Sequence, residues 1–190
     1  PLHLFGPDGQ RSAALAEVHA QGLALAGSFH ALGLRPGDVI AMQLPNGIEN
    51  AVLFQAAAML GCTLLPIVHI YGPHELAHIL ADSRAKALVL PDHWRGIDYL
   101  DRLARLPVLP DLAHRIVMGS EVPDGCLALA DLPQGDLPPI AHDPDALALL
   151  LYTSGTTAAP KGVRHRSRSI LAELTAQRRD GPADDFGLSP

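Results

Sequence analysis

The sequence contains very little cysteine: Cys62 and Cys126 are the only two, and neither belongs to a CxxC pair. Each lies in an apolar stretch, which argues against a disulfide framework and favours buried free thiols. Free thiols persist in a reducing compartment, so we expect the protein to be cytoplasmic.

Positive charge is also scarce, because 14 Lys and Arg are outnumbered by 20 Asp and Glu, which gives a formal net charge of −6. Proteins that bind a nucleic-acid backbone concentrate positive charge on one face. Here the basic residues are scattered, except for one basic cluster at residues 161–168. This cluster follows a loop rich in Gly and Thr, which favours a small phosphorylated ligand, and no nucleic-acid partner is predicted.

Long uninterrupted apolar runs are absent too. The most apolar stretch, residues 51–68, is broken by Gln55, Thr63 and Pro66. A buried helix followed by a strand explains it better than a membrane span. No charged-then-apolar signal segment opens the chain, and Pro1 in place of Met suggests processing or a cut from a longer protein.

Helical and strand patterns alternate along the chain. Apolar residues at three- and four-residue steps predict the helices, at 15–32, 49–60, 73–83 and about 97–106. Short apolar runs predict the strands, at 39–44, 64–68, 86–90, 115–118 and 146–152. Such alternation implies parallel pairing, so we expect an α/β fold with a largely parallel sheet flanked by helices.

The most informative segment, residues 152–163, reads YTSGTTAAPKGV. Gly155 and Gly162 permit backbone turns, and Lys161 adds a positive charge. Four side-chain hydroxyls can donate to phosphate oxygens: Thr153, Ser154, Thr156 and Thr157. A helix expected from residue 163 or 164 would point its positive dipole end at the same place. Pro160 and Gly162 exclude a Walker A loop, and a polar surface turn is the alternative interpretation.

The segment resembles the signature loop of the adenylate-forming (AMP-binding) superfamily, which includes acyl-CoA synthetases, luciferases and the adenylation domains of peptide synthetases. The family pattern is Tyr-Thr-Ser-Gly-Thr-Thr-Gly-x-Pro-Lys-Gly-Val, and only Ala158 departs from it, where the family has Gly. The resemblance continues upstream at residues 34–39, 44–46 and 61–66, whereas residues 91–144 match only loosely.

The resemblance implies an ATP-dependent ligase that activates a small carboxylic acid. The acid would attack the α-phosphate of ATP to give an acyl-adenylate and pyrophosphate. A thiol would then take the acyl group, with CoA favoured and a carrier protein left open as the alternative acceptor. Five residues are expected around the β- and γ-phosphates: Thr153, Ser154, Gly155, Thr156 and Thr157. Lys161 is the expected catalytic residue, offsetting the phosphate charge together with Mg²⁺. A fatty or carbocyclic acid is the favoured substrate, and the oligomeric state is not predicted.

The resemblance also implies that residues 1–190 are a partial N-terminal AMP-binding domain, without its C-terminal part and without the lid domain. The family's adenine pocket, metal-binding glutamate, ribose-binding aspartate and lid lysine all follow the loop. The chain alone is therefore expected to be inactive. Ala158 would cost about 1 kcal/mol if its φ must be positive. Ser167 replaces the His of many members, and His165 is interpreted as a solvated histidine at a helix start.

A second motif indicates different chemistry. Residues 74–78 match H-E-x-x-H, in which His74 and His78 would bind zinc and Glu75 would act as general base of a hydrolase. The next glutamate, Glu121, is far along the chain, and zinc needs three protein ligands. An amphipathic helix with solvated histidines is therefore the favoured interpretation. A third alternative is a non-catalytic remnant that keeps only the phosphate loop.

Overall fold

The computed structural model describes residues 2–6, 9–153 and 160–180 of the chain. The strands are β1 (Leu2–Gly6), β2 (Gly9–Ala13), β3 (Val39–Met42), β4 (Thr63–Pro66), β5 (Ala87–Pro91), β6 (His93–Trp94), β7 (Ile97–Asp98), β8 (His114–Met118), β9 (Leu127–Ala128), β10 (Leu147–Thr153) and β11 (Lys161–Arg166). The helices are α1 (Leu15–Ala31), α2 (Ile48–Leu60), α3 (Pro73–Ser83), α4 (Tyr99–Ala104) and α5 (Ser167–Asp180), with a 3-10 turn at Leu129–Asp131.

Seven strands form the central sheet, in the order β11-β10-β4-β3-β5-β8-β9. From β10 to β9 each strand runs parallel to its neighbours, and β11 runs antiparallel beside β10. Parallel strands require long crossover connections: α2 connects β3 to β4, and α3 connects β4 to β5. The expected α/β fold with a largely parallel sheet is confirmed.

Helices cover both faces of the sheet because its strands carry apolar residues on both sides. On one face, Ile40 and Val89 pack with Phe29 of α1 and Leu53 of α2. On the other face, Leu88 packs with apolar residues of α3 and α4. The result is a three-layer arrangement in which the sheet lies between two helical layers.

Helix α3 is well specified by its sequence. It begins at Pro73, a residue suited to the first helical position. The Glu75 carboxylate accepts a hydrogen bond from the Gly72 backbone N–H over 3.2 Å and so caps the helix start. Its buried face consists of three apolar residues: Leu76, Ile79 and Leu80. This face holds α3 firmly against the sheet.

Two predicted elements differ from the structure. The helix expected at 97–106 is shortened to α4, because residues 97–98 pair with His93–Trp94 in a hairpin whose turn has positive φ at Arg95 and Gly96. The helix expected from residue 163 or 164 begins only at Ser167, because the preceding residues pair with β10. His165 therefore lies in a strand, and its interpretation as a helix-start residue is wrong.

Both cysteines are free, Cys62 being buried and Cys126 half-buried. Burial, with a smaller contribution from the charge of Asp38, raises the pKa of Cys62 to about 12. Its thiol donates a hydrogen bond to the Arg35 carbonyl over 3.3 Å. Among the described residues, no helix combines the length and apolar composition that a bilayer crossing requires.

Candidate functional site

Strand β10 delivers the chain to the edge of the sheet where the parallel strands end. It lies parallel to β4, so Thr153 at its end emerges beside the carboxyl ends of β4 and β3. Ligands of open parallel sheets bind at this edge. Strand β11 then returns antiparallel, with Lys161 opposite Thr153, and both residues are exposed. The structure thus brings together two of the predicted phosphate-binding residues.

The other predicted residues of this loop lie outside the described residues: Ser154, Gly155, Thr156, Thr157 and the departing Ala158. Their assignment to phosphate binding stays a prediction.

The start of β10 is fixed by a hydrogen bond from β4. Thr63 is 1% exposed, and its hydroxyl donates to the Leu147 carbonyl over 2.8 Å. Further along, Leu149 lies opposite Leu64 in the parallel pairing. These contacts set the register of the strand that leads to Thr153.

Tyr152 packs across the hairpin on Gly162. A Cβ atom at Gly162 would lie 3.2 Å from Tyr152 Cζ and 3.1 Å from Leu150 Cδ1, closer than ordinary contact. The φ of Gly162 is not positive, so the expected role of this glycine in a backbone turn is wrong. Glycine fits here because it has no side chain to collide with Tyr152 and Leu150. The Tyr152 hydroxyl donates to Asp82 Oδ2 over 2.5 Å. Burial, and then this bond to the carboxylate, raise the pKa of Tyr152, so the hydroxyl keeps its proton.

Helix α3 also contacts the residue just before β11. His78 Nε2 lies 3.2 Å from the carbonyl oxygen of Pro160. A carbonyl oxygen only accepts, so Nε2 must carry the hydrogen. His78 and Asp82 are four residues apart and therefore share one face of α3. One helical face thus contacts the chain on both sides of residues 153–159.

The H-E-x-x-H residues have other partners in this structure. Glu75 caps α3, His78 bonds to Pro160, and His74 is exposed. Within the described ranges, no three His, Cys, Asp or Glu side chains converge as they would around a metal ion. Neither the general-base role nor the ligand pair of a zinc hydrolase receives support from these contacts.

The basic cluster divides into two parts. Arg166 lies 3.3 Å from Asp145, which also pairs with Arg168. Lys161 and Arg164 are exposed, and neither forms an ion pair within the part of the chain that the structure describes. The charge of Lys161 is therefore available to an anion at the end of β10.

Gln43 is a further polar residue at this edge that sequence reasoning missed. It follows β3, is 0% exposed, and donates from Nε2 to the carbonyls of Val68 and Tyr71, over 3.1 and 2.9 Å. Its Oε1 has no partner among the described residues. The two acceptors fix the orientation of the amide, so Gln43 holds the segment after β4 in place. A single Gln among apolar residues gave no signal of this role.

Comparison with known proteins places the chain in a family. A family model described as AMP-binding enzyme matches residues 3–189, so the chain belongs to the AMP-binding enzymes. It is 34% identical to the sulfoacetate–CoA ligase of Cupriavidus necator, over 96% of this chain and 35% of the relative. It is 30% identical to 4-coumarate-CoA ligase 1 of Narcissus pseudonarcissus, over 92% of this chain and 31% of the relative.

A solved structure agrees with these relatives. The acetoacetyl-CoA synthetase of Streptomyces lividans superimposes with a TM-score of 0.78 at 29% identity, over 88% of this chain and 28% of that chain. The chain therefore spans about a third of the length of the curated relatives it matches. The resemblance drawn from residues 152–163 is confirmed at the level of the family.

Proposed function

We propose that the chain belongs to a protein that activates a carboxylic acid with ATP. The carboxylate oxygen attacks the α-phosphate, the bond to pyrophosphate breaks, and an acyl-adenylate forms. The thiol of CoA then takes the acyl group and AMP leaves. The observation that carries this proposal is the position of Thr153 and Lys161, side by side at the carboxyl edge of the sheet in an AMP-binding family member.

The exposed side chains suit the phosphates of ATP. The Thr153 hydroxyl can donate to a phosphate oxygen, and the Lys161 ammonium offsets the charge that grows on departing pyrophosphate. Ser154, Gly155, Thr156 and Thr157 complete the proposed loop on the strength of the sequence pattern. The described residues form no cluster that could hold Mg²⁺. We propose that Mg²⁺ would bind together with ATP, coordinated by the phosphates, and would reduce their negative charge.

The acid, the compartment and the domain boundaries belong to the same proposal. The relatives are named for sulfoacetate and 4-coumarate, which supports a small carboxylic acid and CoA without choosing a fatty or carbocyclic substrate. The free thiols of Cys62 and Cys126 support a reducing, cytoplasmic compartment. We assign residues 1–190 to part of an N-terminal AMP-binding domain because the relatives are about three times as long.

The test is acid-dependent exchange of pyrophosphate into ATP by the full-length protein that carries this chain. We expect exchange with some member of a panel of aromatic, fatty and short sulfonated acids, and none from residues 1–190 alone. Lys161→Ala should slow adenylation roughly 10- to 1000-fold, the range for one preorganised stabilising group. Transfer from preformed acyl-adenylate to CoA should barely change.

Lys86 provides a matched control, because it is the only other lysine in the chain. It lies at the amino end of β5, at the opposite edge of the sheet, and pairs with Asp38 over 2.7 Å. Lys86→Ala should leave the ratio of the two half-reactions unchanged. If Lys161→Ala slowed both half-reactions equally, or neither, the assignment of this loop to ATP phosphates would have to be withdrawn.

A further inference from the structure

Helix α3 contacts the chain immediately before the proposed phosphate loop, which we define as residues 153–161, and again near the end of that loop. Before the loop, Tyr152 donates its hydroxyl hydrogen to Asp82 over 2.5 Å. Near the end of the loop, the Pro160 carbonyl oxygen lies 3.2 Å from His78 Nε2. Each contact is one residue away from a side chain proposed to meet phosphate, Thr153 in the first case and Lys161 in the second.

We propose that His78 and Asp82 are positioning residues that fix the two ends of the phosphate loop on α3. The inference rests on the proposed function, because it assumes that the loop binds ATP. It gives the second histidine of the H-E-x-x-H motif a role in ATP use that requires no metal. In this proposal Asp82 acts through the side-chain hydroxyl of Tyr152, and His78 acts through the backbone carbonyl of Pro160.

Helix α3 can serve as a rigid reference for these contacts. Leu76, Ile79 and Leu80 are at most 2% exposed, so the helix cannot shift without disturbing the core. His78 and Asp82 project from the same helix, one turn apart. Both ends of the loop are therefore bonded to the same rigid helix. Support of this kind keeps catalytic groups in productive geometry.

The chemistry of the two contacts supports an orienting role. The Asp82 carboxylate accepts from a hydroxyl that keeps its proton, which makes a charge-assisted bond. Close packing of the Tyr152 ring on Gly162 restricts the direction in which that hydroxyl can point. Pro160 has no backbone N–H, so its carbonyl is the one backbone group through which α3 can hold it. Misplacement of reacting groups by about 1 Å can cost about 100-fold in rate.

The experiment measures both half-reactions in the full-length protein for Tyr152→Phe, Asp82→Ala and the double variant. We expect each single variant to raise KM for ATP or slow adenylation by 3- to 30-fold, as a looser loop would. The double variant should be no worse than the worse single variant, because both remove one shared bond. Transfer from preformed acyl-adenylate to CoA should stay within twofold of wild type.

Conservative replacements separate positioning from folding. His78→Gln keeps a donor where Nε2 lies and should retain activity, whereas His78→Leu should raise KM for ATP with adenylation slowed. Asp82→Asn keeps an acceptor and should fall between wild type and Asp82→Ala. The matched control is Asp101→Ala, because Asp101 is an exposed aspartate of α4 whose ion-pair partner is Arg105, the residue that follows the helix, and this change should alter neither half-reaction.

The outcomes distinguish this inference from the proposed function. If Lys161→Ala impairs adenylation but the His78 and Asp82 variants do not, the positioning role is overturned and the function stands. Additive effects of Tyr152→Phe and Asp82→Ala, or equal losses in both half-reactions, would also overturn it. If Lys161→Ala has no effect, the assignment of the loop to the ATP phosphates fails and this inference fails with it, whereas absence of acid-dependent pyrophosphate exchange by the full-length protein would overturn the proposed function itself.

Discussion

Replacing Gln43 by glutamate should strongly destabilise the fold at the carboxyl edge of the sheet. The side chain is 0% exposed and donates to two backbone carbonyls, those of Val68 and Tyr71. A carboxylate cannot donate, so Gln43→Glu would lose both bonds and place a buried negative charge against two carbonyl oxygens. An uncompensated buried charge costs about 3 to 5 kcal/mol, and the Arg102 guanidinium, which also donates to the Tyr71 carbonyl, would offset part of this cost. We therefore expect a loss near the lower end of that range in the free energy of unfolding at neutral pH.

Gln43→Met is the matched control, because it has similar volume and no charge. It also removes both bonds, but Tyr71 keeps a second donor in Arg102, so we expect a loss of about 1 to 2 kcal/mol. Burial beside two carbonyl oxygens, only partly offset by Arg102, raises the pKa of the introduced carboxyl above its unfolded value. The protonated form is therefore favoured in the folded state, and the stability of Gln43→Glu should recover as pH falls.

The assay is urea unfolding of the 190-residue chain, followed by far-UV circular dichroism at about pH 7 and pH 5. Recovery on acidification can reach about 1.4 kcal/mol per pH unit for one group. Gln43→Met should show no comparable difference from wild type. Equal losses for the two variants, or a Gln43→Glu loss that does not depend on pH, would refute the reasoning.

Two further predictions concern Cys62 and the histidines of α3. The folded pKa of Cys62, about 12, exceeds that of a free thiol, so stability should fall as pH rises above about 9, by on the order of 1 kcal/mol per unit. Cys62→Ala should remove this dependence of stability on pH. Urea unfolding of both proteins above about pH 9 would contradict the prediction if wild type and Cys62→Ala lost stability at the same rate. His74 and His78 should not hold zinc stoichiometrically, because Glu75 and His78 have other partners. Metal analysis after dialysis would refute this if it found one zinc per chain that His78→Ala abolished.

Local patterns predicted three helices and the five inner strands of the central sheet, but not the short strands β1, β2, β6, β7 and β9. Helices α1, α2 and α3 were correct to within one residue because apolar spacing and the breakers Gly33, Gly61 and Pro73 define them locally. Strand β11 was missed, because residues 161–166 become a strand by pairing with β10, and short segments take their structure from such neighbours.

The contacts that hold the ends of the proposed phosphate loop could not be predicted from the sequence, because they too depend on residues far apart in the chain. The family pattern predicted Thr153 and Lys161 as phosphate-binding residues, and the structure places the two residues side by side. The contacts of His78 with Pro160 and of Asp82 with Tyr152 join residues 82 and 70 positions apart. The spacing of apolar residues carries information about neighbouring positions only, so it cannot predict contacts at such separations. The H-E-x-x-H pattern indicated a metal site instead.

The hydrogen bond between Thr63 and Leu147 has a consequence for how the chain folds. It joins residues 84 positions apart, so one side of β4 stays unpaired until β10 has been synthesised and has reached it. Pairing over such a separation is slow, because a large loop must close before any contact compensates for its entropy. Strands β3, β4, β5 and β8 can assemble earlier, and an open edge on β4 would meanwhile be exposed to pairing with other chains. Arrival of β10 closes that edge and sets Thr153 in place in the same step, so folding intermediates that still expose the edge do not yet present the proposed phosphate-binding residues together.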